Sequence, residues 1–430
     1  MTAAEFKTHA ASHYRDITHL AMLAGTNMAR FGAEAYRIED TTVRLLKTTG
    51  LTYTEAHVSV TGLMITLDDP SLPQPISLTK RITRRVSDLS RISRTNDISR
   101  RFVAGELTIE EAEKALEAIA SSSFYSKAVL ILAYAVVAGF FTFMFGGHPA
   151  DAGAAFLVGL LTGLFSESTE NLALPAFIRT FLASVVMGLC LVLFLTILPI
   201  GAHPGPVITG SIMPLVPGML LTVGIRDLLS GDYLSGLSRL VEASLIALAI
   251  ASGVSIVLFT AEKYYGAYDL ATPETFFTLG QNAFLPPELF FQGICSFISG
   301  IAFVILFDAE PSHLAWCGLT AGLTWFVFCL CRHFGCDDAL ATFLGALTAA
   351  LLSFYLAIWV KTPVTVFFTG GIFCLVPGAG IFQSMYQFLQ SDTVRGLQTL
   401  FVTLEIAGLI AIALIVQTTL HRIFHPGKKA

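Results

Sequence analysis

The sequence predicts a mainly α-helical, polytopic membrane protein, in which ten transmembrane helices form two inverted-topology repeats of five and follow a small α+β domain. Three observations support this fold class. Only 13% of the 430 residues are charged, about half of the roughly 25% that is usual in soluble domains. Residues 1–127 nevertheless hold 16 of the 26 Lys and Arg residues. The remainder contains charge-free runs at 128–150, 180–225 and 339–360, which are long enough to cross a bilayer.

The N-terminal domain, residues 1–126, has the pattern of a small α+β unit. Apolar residues at helical spacing alternate with a region rich in Thr and Val. Its predicted elements are a helix, a region of one or two strands, a further short strand and two helices, at 17–50, 53–67, 76–78, 86–98 and 108–120. Thr108 and Glu111 have the spacing of a capping box at the start of the last helix. No secretory signal is evident, so the domain is expected to stay in the cytoplasm.

The membrane part is predicted to contain one repeat at 127–262 and a second at 286–420. Its ten predicted spans are 127–145, 151–166, 176–198, 206–225, 238–260, 286–307, 312–330, 338–359, 362–387 and 397–420. With the N-terminus inside, only three of the 26 basic residues fall in outer loops: Lys263, Arg332 and Arg395. Basic residues favour the cytoplasmic side, so both chain ends are predicted to be cytoplasmic.

An internal repeat is the most informative feature of the membrane part. The segment Gly210–Gly218, GSIMPLVPG, matches Gly370–Gly378, GGIFCLVPG, at an offset of 160 residues. Asp232, Gly236, Leu237 and Leu240 also recur at this offset, as Asp392, Gly396, Leu397 and Leu400. Because five is odd, the second copy enters the bilayer upside down relative to the first. Many secondary transporters have this arrangement, although channels and structural membrane proteins can also be duplicated.

The paired Leu-Val-Pro-Gly segments are predicted to break helices four and nine. Proline removes a backbone donor and clashes with the preceding turn of a helix. Interrupted segments at corresponding places in both halves indicate a binding site, so Pro217, Gly218, Pro377 and Gly378 are the predicted substrate-binding residues. Gln383 follows the second interruption and is added as a hydrogen-bonding group. The alternative is a pair of packing kinks without a role in binding.

Two carboxyl groups within the spans, those of Glu405 and Glu242, are predicted to couple transport to protons. Ionisable groups inside membrane helices are costly and usually functional. Glu405 has no basic neighbour on its own helix. For Glu242 the alternative is an ion pair with Arg239, three residues earlier on the same helix.

Several further classes of partner and cofactor are excluded or left open. The net charge of −5 gives no reason to expect nucleic acid, and the absence of a phosphate-binding Gly-rich loop with Lys and Ser/Thr argues against an ATP-driven pump. No cofactor is expected. The cluster Cys329, Cys331, His333 and Cys336 is interpreted as small apolar residues at a helix end, with a metal site or a disulfide as the alternative. A homo-oligomer remains open.

The helix Leu23–Asp40, LAGTNMARFGAEAYRIED, followed by strands and five spans with a Pro-Gly pair, resembles the threonine/serine exporter family. The second half, with Val376–Gly378, resembles it too. The resemblance implies export of threonine and serine, driven by the proton motive force, and gives weight to the signature residues Glu34, Arg37 and Glu39. Related split pairs are associated with dicarboxylate export, so small dicarboxylates are the alternative substrates.

The sequence therefore favours a secondary transporter in a bacterial inner membrane, with a small polar metabolite, protons and membrane lipid as its partners. Two hypotheses from other classes remain. A channel would conduct without coupling to a second ion. A membrane-anchored hydrolase would act through the N-terminal domain, although His57 is predicted to lie alone among the strands, away from other catalytic groups.

Overall fold

A computed structural model describes the chain at residues 3–59, 61–82, 86–119, 123–172, 174–198, 200–265 and 286–424. The contacts divide the chain into two compact units. The first contains Met1–Phe124 and two short links from the membrane part, Ser230–Ser238 and Phe307–Glu310. The second contains the remaining membrane part. The basic C-terminal residues Lys428 and Lys429 lie outside the described residues.

The first unit, which we call the N-terminal unit, is an α+β fold with an antiparallel sheet in the order β1-β2-β3. Its elements are α1 (Ala3–Arg30), α2 (Ala35–Leu46), β1 (Tyr53–Ser59), β2 (Gly62–Asp68), β3 (Ile76–Arg81), α3 (Leu89–Val103) and α4 (Ile109–Ile119). Helix α1 packs on α2, α3, α4 and the sheet, and its apolar side chains join the core. At Gly25 a side chain would collide with Leu63 of β2, at 2.5 Å. A glycine there lets helix and sheet approach closely.

The predicted helix over 17–50 is wrong, because it is two helices that meet at a turn. Gly32 has φ +88°, which L-residues other than glycine rarely adopt, and Glu34 is extended before the first residue of α2. The capping box is confirmed: the Thr108 N–H donates to Glu111 Oε2 over 2.9 Å, and the Glu111 N–H donates to Thr108 Oγ1 over 3.3 Å. A local motif of this kind needs no tertiary contact to form.

The second unit, which we call the membrane unit, is a bundle of helices. They are α5 (Lys127–Met144), α6 (Pro149–Thr169), α7 (Ala176–Val192), α8 (Pro204–Ile212), α9 (Gly218–Leu229), α10 (Tyr233–Tyr265), α11 (Pro286–Leu306), α12 (Leu314–His333), α13 (Asp338–Val360), α14 (Val364–Ile372), α15 (Gly378–Leu389) and α16 (Thr393–Phe424). Among the described residues, eight helices are long and apolar enough to cross a membrane. The chain therefore has the composition and structure of a multi-pass membrane protein.

The two other predicted spans, 206–225 and 362–387, are each divided into two short helices. The first consists of α8 and α9, and the second of α14 and α15, with nine residues before each interruption and twelve after it. The prediction that the Pro-Gly segments break these helices is confirmed. The physical reason is that Pro217 and Pro377 cannot donate the hydrogen bond that would continue the helix.

Helices from the two halves pack together around the interruptions. Helix α5 packs on α11, α9 on α16, and α9 on α15. A buried apolar cluster joins Leu221 of α9, Ala243 and Ala247 of α10, Ile381 of α15 and Ala407 of α16. The half-helices that follow the interruptions are thereby held between the two long helices α10 and α16.

Candidate functional site

The two interrupted helices contact each other at their prolyl-glycyl segments, in a reciprocal way. A Cβ atom at Gly218 would lie 2.2 Å from Val376 Cγ1 and 3.3 Å from the Gly378 Cα. A Cβ atom at Gly378 would lie 2.4 Å from Val216 Cγ2. Val216 and Val376, like the two glycines, are 160 residues apart, so each half contributes the same two positions to the contact.

The backbone at the two interruptions follows one pattern. Leu215 and Val216 donate to the Ile212 carbonyl over 2.9 and 3.1 Å, and Leu375 and Val376 donate to the Ile372 carbonyl over 2.8 and 3.0 Å. Helices α9 and α15 begin immediately after the prolines. Two helix N-termini, each with a partial positive charge, therefore begin next to each other at the contact of the glycines. An anionic group is favoured at such a position.

Polar side chains follow the interruptions but differ between the halves. Gln383, with 4% of its surface exposed, lies on α15 close to Ser384, whose hydroxyl donates to the Gly396 carbonyl over 2.7 Å. In the first half the buried hydroxyls of Ser211 and Thr222, before and after the interruption, have no hydrogen-bond partner among the described residues. Buried hydroxyls normally have a hydrogen-bond partner. A polar solute bound here would be able to form hydrogen bonds with both of these hydroxyls.

A buried ion pair joins α9 to α10 beyond the interruption. Arg239 Nε lies 3.0 Å from Asp227 Oδ2, with the two residues 4% and 5% exposed. At the offset of 160, the same two positions hold Gln387 and Thr399, and the Thr399 hydroxyl donates to Gln387 Oε1 over 2.8 Å. One polar link thus recurs in both halves, charged in the first and neutral in the second. This link was not predicted: the repeat offset relates the two pairs of positions, but it does not indicate that the members of either pair are in contact.

The structure does not bring the two predicted proton-coupling residues to the interruptions. Glu405 is the middle residue of the apolar stretch Thr393–Gln417 of α16, and its side chain is exposed on a face with Phe401 and Ile412. Glu242 is half-buried on α10. Arg239, the ion-pair partner considered for Glu242, instead pairs with Asp227 on a neighbouring helix.

The signature residues of the N-terminal unit lie at the start of α2. Glu34 is buried, and its carbonyl accepts hydrogen bonds from the N–H groups of Arg37 and Ile38. Glu39 Oε1 accepts a hydrogen bond from the Val58 N–H over 3.0 Å and ties α2 to β1. His57 Nδ1 lies 3.6 Å from the same oxygen, so the prediction that His57 stands alone is wrong. The packing of α2 on β1, which the sequence did not give, brings it to Glu39.

Two carboxyl groups meet at the N-terminus of α3 in the N-terminal unit. Asp88 caps this helix by accepting from the Arg91 N–H over 2.8 Å. Ser90 Oγ lies 3.1 Å from Asp88 and 3.5 Å from Asp308, on the link Phe307–Glu310. Asp308 also accepts from the Ser123 hydroxyl over 3.0 Å. Burial, reinforced by the charge of Asp308 and opposed by Arg91, raises the pKa of Asp88 to about 6.

This raised pKa predicts a pH-dependent stability that Asp88→Asn should remove. The folded unit holds the proton up to about pH 6, whereas the unfolded chain releases it near pH 4. The contribution of Asp88 to the free energy of unfolding is therefore greatest below pH 4 and falls by up to about 3 kcal/mol as the pH rises to 6. Asparagine keeps the helix cap but does not ionise.

Hydrogen exchange of the α3 amides in the full chain, corrected for intrinsic rates, measures this effect between pH 4 and 7. We expect a smaller loss of protection with rising pH in the variant. Asp97→Asn is the matched control, since Asp97 lies on the same helix with its side chain mostly exposed. An unchanged pH slope in Asp88→Asn would contradict the assignment.

The fold and the site together define a class of protein: a multi-pass α-helical membrane protein with two interrupted helices in contact. Two models of the threonine/serine exporter family match the sequence, over residues 19–261 and 292–420, the second described as "Threonine/Serine exporter, ThrE". The chain belongs to this family. Its interrupted helices are the segments Pro204–Leu229 and Val364–Leu389.

Three curated relatives agree with this assignment. The chain is 24% identical over 369 residues to the "Probable threonine/serine exporter" of Mycobacterium tuberculosis, covering 85% of this chain and 66% of the relative. It is also 24% identical over 373 residues to the "Threonine/serine exporter" of Corynebacterium glutamicum, covering 84% and 73%. The "Probable succinate transporter subunit YjjP" of Klebsiella aerogenes is 22% identical over 254 residues, or 57% of this chain and 95% of the relative. No solved structure matches.

Proposed function

We propose that this protein is a secondary transporter that exports threonine, serine and similar small polar amino acids across a bacterial inner membrane. The observation that carries the proposal is the reciprocal contact of Gly218 and Gly378 with Val376 and Val216, at two interrupted helices. Two related halves that meet at broken helices suit alternating access, in which one half moves against the other. The names of two curated relatives supply the substrate class.

The proposed topology has ten crossings in two inverted repeats, with both chain ends in the cytoplasm. The links Ser230–Ser238 and Phe307–Glu310 belong to the same unit as the N-terminal residues. Both links are cytoplasmic if each interrupted helix crosses the membrane once, since four crossings then precede the first link and two separate it from the second. The proposed topology thus puts both links on the same side of the membrane as the N-terminal residues, and their membership of one unit supports it.

The proposed binding site lies at the interruptions, with Pro217, Gly218, Pro377, Gly378 and Gln383 around the solute. The adjacent N-termini of α9 and α15 would receive the substrate carboxylate. The hydroxyls of Ser211 and Thr222 and the amide of Gln383 would receive its other polar groups. The N-termini of α9 and α15 require only a carboxylate group in the solute, so small dicarboxylates are the second candidate substrates. The name of the Klebsiella aerogenes relative favours them.

Uptake into inside-out vesicles tests both substrates directly. Vesicles that contain the full chain are energised to acidify the lumen, and labelled threonine, serine or succinate is added outside. We expect uptake of threonine and serine that excess unlabelled threonine prevents and that a protonophore abolishes. Uptake of succinate alone would select the second candidate. No uptake of any of the three, from vesicles with verified protein, would contradict both.

Proton coupling is proposed for Glu405 and Glu242, and the expected effect is largest at Glu405. A carboxyl group at the middle of an apolar stretch is costly to ionise, so it is suited to carry a proton. In Glu405→Gln we expect pH-driven uptake to fall to background while exchange of labelled for unlabelled threonine persists. Glu262→Gln, with an exposed side chain near the end of α10, is the control. Normal pH-driven uptake in Glu405→Gln would remove this residue from the mechanism.

A further inference from the structure

Two cysteines lie at the C-terminal end of α12, at the positions that the helix end brings together. The Cys336 N–H donates to the Cys331 carbonyl over 3.0 Å, and the Gly335 N–H donates to the Arg332 carbonyl over 3.0 Å. Gly335 has φ +83°. These two bonds and the left-handed glycine are the Schellman motif, in which the residues at the positions of Cys331 and Cys336 frequently touch.

The two thiols lie close enough to interact with each other electrostatically. All seven cysteines are among the described residues, and only Cys331 and Cys336 are partly exposed, while the other five are buried. A disulfide requires Cα atoms roughly 4.4–6.8 Å apart and side chains that point toward each other. Two thiols that face each other across one helix-ending turn, closed by the Cys336–Cys331 backbone hydrogen bond, meet this requirement with little movement of the backbone.

Groups other than the thiols hold this turn in place. Arg332 Nη1 donates to the Cys336 carbonyl over 3.0 Å, and Arg332 Nε lies 3.1 Å from Asp338 Oδ1. Asp337 caps α13 by accepting from the Leu340 N–H over 2.8 Å. The two sulfurs are therefore kept close whether or not a bond joins them, and this favours closure of a ring over reaction with separate molecules.

We propose that Cys331 and Cys336 form a dithiol that an organic disulfide oxidises to an intramolecular disulfide. The thiolate of one cysteine attacks the S–S bond of the oxidant, forms a mixed disulfide and releases one thiol. The second cysteine then attacks the bound sulfur of the first, forms the internal S–S bond and releases the second thiol. Two electrons pass to the oxidant. The two protons lost by the cysteines are taken up by the two thiols that are released.

The place of this pair in the cell rests on the topology proposed above. In that topology α12 ends on the outer side, where proteins meet an oxidising compartment in bacteria with a periplasm.

The four residues Cys329, Cys331, His333 and Cys336, which form a cluster in the sequence, do not act as one group in the structure. Among the described residues no group of three or more His, Cys, Asp or Glu side chains is arranged to hold a metal, and Cys329 is buried.

Oxidised glutathione and the purified full chain in detergent test the chemistry. After incubation, remaining thiols are alkylated and peptides are analysed by mass spectrometry. We expect a Cys331–Cys336 bond, with loss of two hydrogen atoms, in the native chain and equally in the control Cys329→Ser. In Cys336→Ser the reaction should stop at a glutathione adduct on Cys331. Glutathione adducts on both native cysteines, or two alkylated thiols, would overturn the proposal.

A second measurement separates this chemistry from the topology. Intact cells are treated with a mild reductant and a membrane-impermeant maleimide, and the labelled residues are identified. We expect labelling of Cys331 and Cys336 in intact cells and an oxidised pair when the reductant is omitted. Labelling only after lysis would overturn the outer position, and with it the transport topology, whereas the experiment on the purified chain decides the bond itself.

Discussion

Gly218→Ala is expected to lower threonine export at least about fivefold, and Val376→Ala in the same chain is expected to restore much of it. The added methyl group would lie 2.2 Å from Val376 Cγ1, far inside van der Waals contact. Valine is β-branched and has few alternative rotamers, so the two interrupted helices must separate. Overpacking of this kind costs about 1–3 kcal/mol, and 1.4 kcal/mol corresponds to about a factor of ten.

The reciprocal arrangement gives this prediction an internal control. Val216 contacts Gly378 rather than Gly218, so Val216→Ala should not restore export in Gly218→Ala. Gly153→Ala, in α6, should have almost no effect, because no atom lies within 4 Å of the added Cβ. Initial rates in vesicles, normalised to protein, measure all five chains. Equal rescue by the two valine substitutions would contradict the specific contact.

Asp227→Asn is expected to destabilise the membrane unit by about 3–5 kcal/mol, because it removes the carboxylate that pairs with the buried Arg239. The double substitution Asp227→Gln with Arg239→Thr should recover most of this loss. Those residues occupy the corresponding positions in the second half, where the Thr399 hydroxyl and Gln387 are already hydrogen-bonded over 2.8 Å. The geometry that the double variant needs is thus present in the same molecule.

Thermal unfolding of the full chain in detergent measures these stabilities. Asp392→Asn is the matched control, because the Asp392–Arg395 pair is at least one third exposed on both sides and exposed pairs are worth at most about 1 kcal/mol. If the double variant were as unstable as Asp227→Asn alone, the neutral link could not replace the charged one. The two halves would then differ in how α9 and α15 are held.

Features set by local sequence could be predicted. Thr108 and Glu111 form their capping box from residues three apart, and Pro217 and Pro377 break their helices because of their own covalent structure. Gly218 and Gly378, which the sequence offset relates, lie next to each other in the structure. Eight of the ten predicted spans coincide with long apolar helices, since a bilayer imposes its length on any span.

Features that depend on which elements pack together could not be predicted. The turn at Gly32 interrupts a continuous helical pattern. The sequence gives Asp227 and Arg239 no reason to pair, because they lie on different helices. Glu405 was predicted to couple transport to protons, but a helix that is apolar on all sides, such as α16, has no pattern to show which of its faces is outward. Its exposed position became visible only with neighbouring helices in place.

The tight crossing of the two interrupted helices limits the route of a solute. Backbone at Gly218 and Gly378 comes so close that a single methyl group does not fit between the valines, so nothing as large as an amino acid passes through the crossing itself. In the proposed transporter the crossing would act as a pivot between the two halves, and the solute would pass beside it. Gln383 puts a polar amide at the position where the first half has Val223, so the proposed path would run along the side with Gln383.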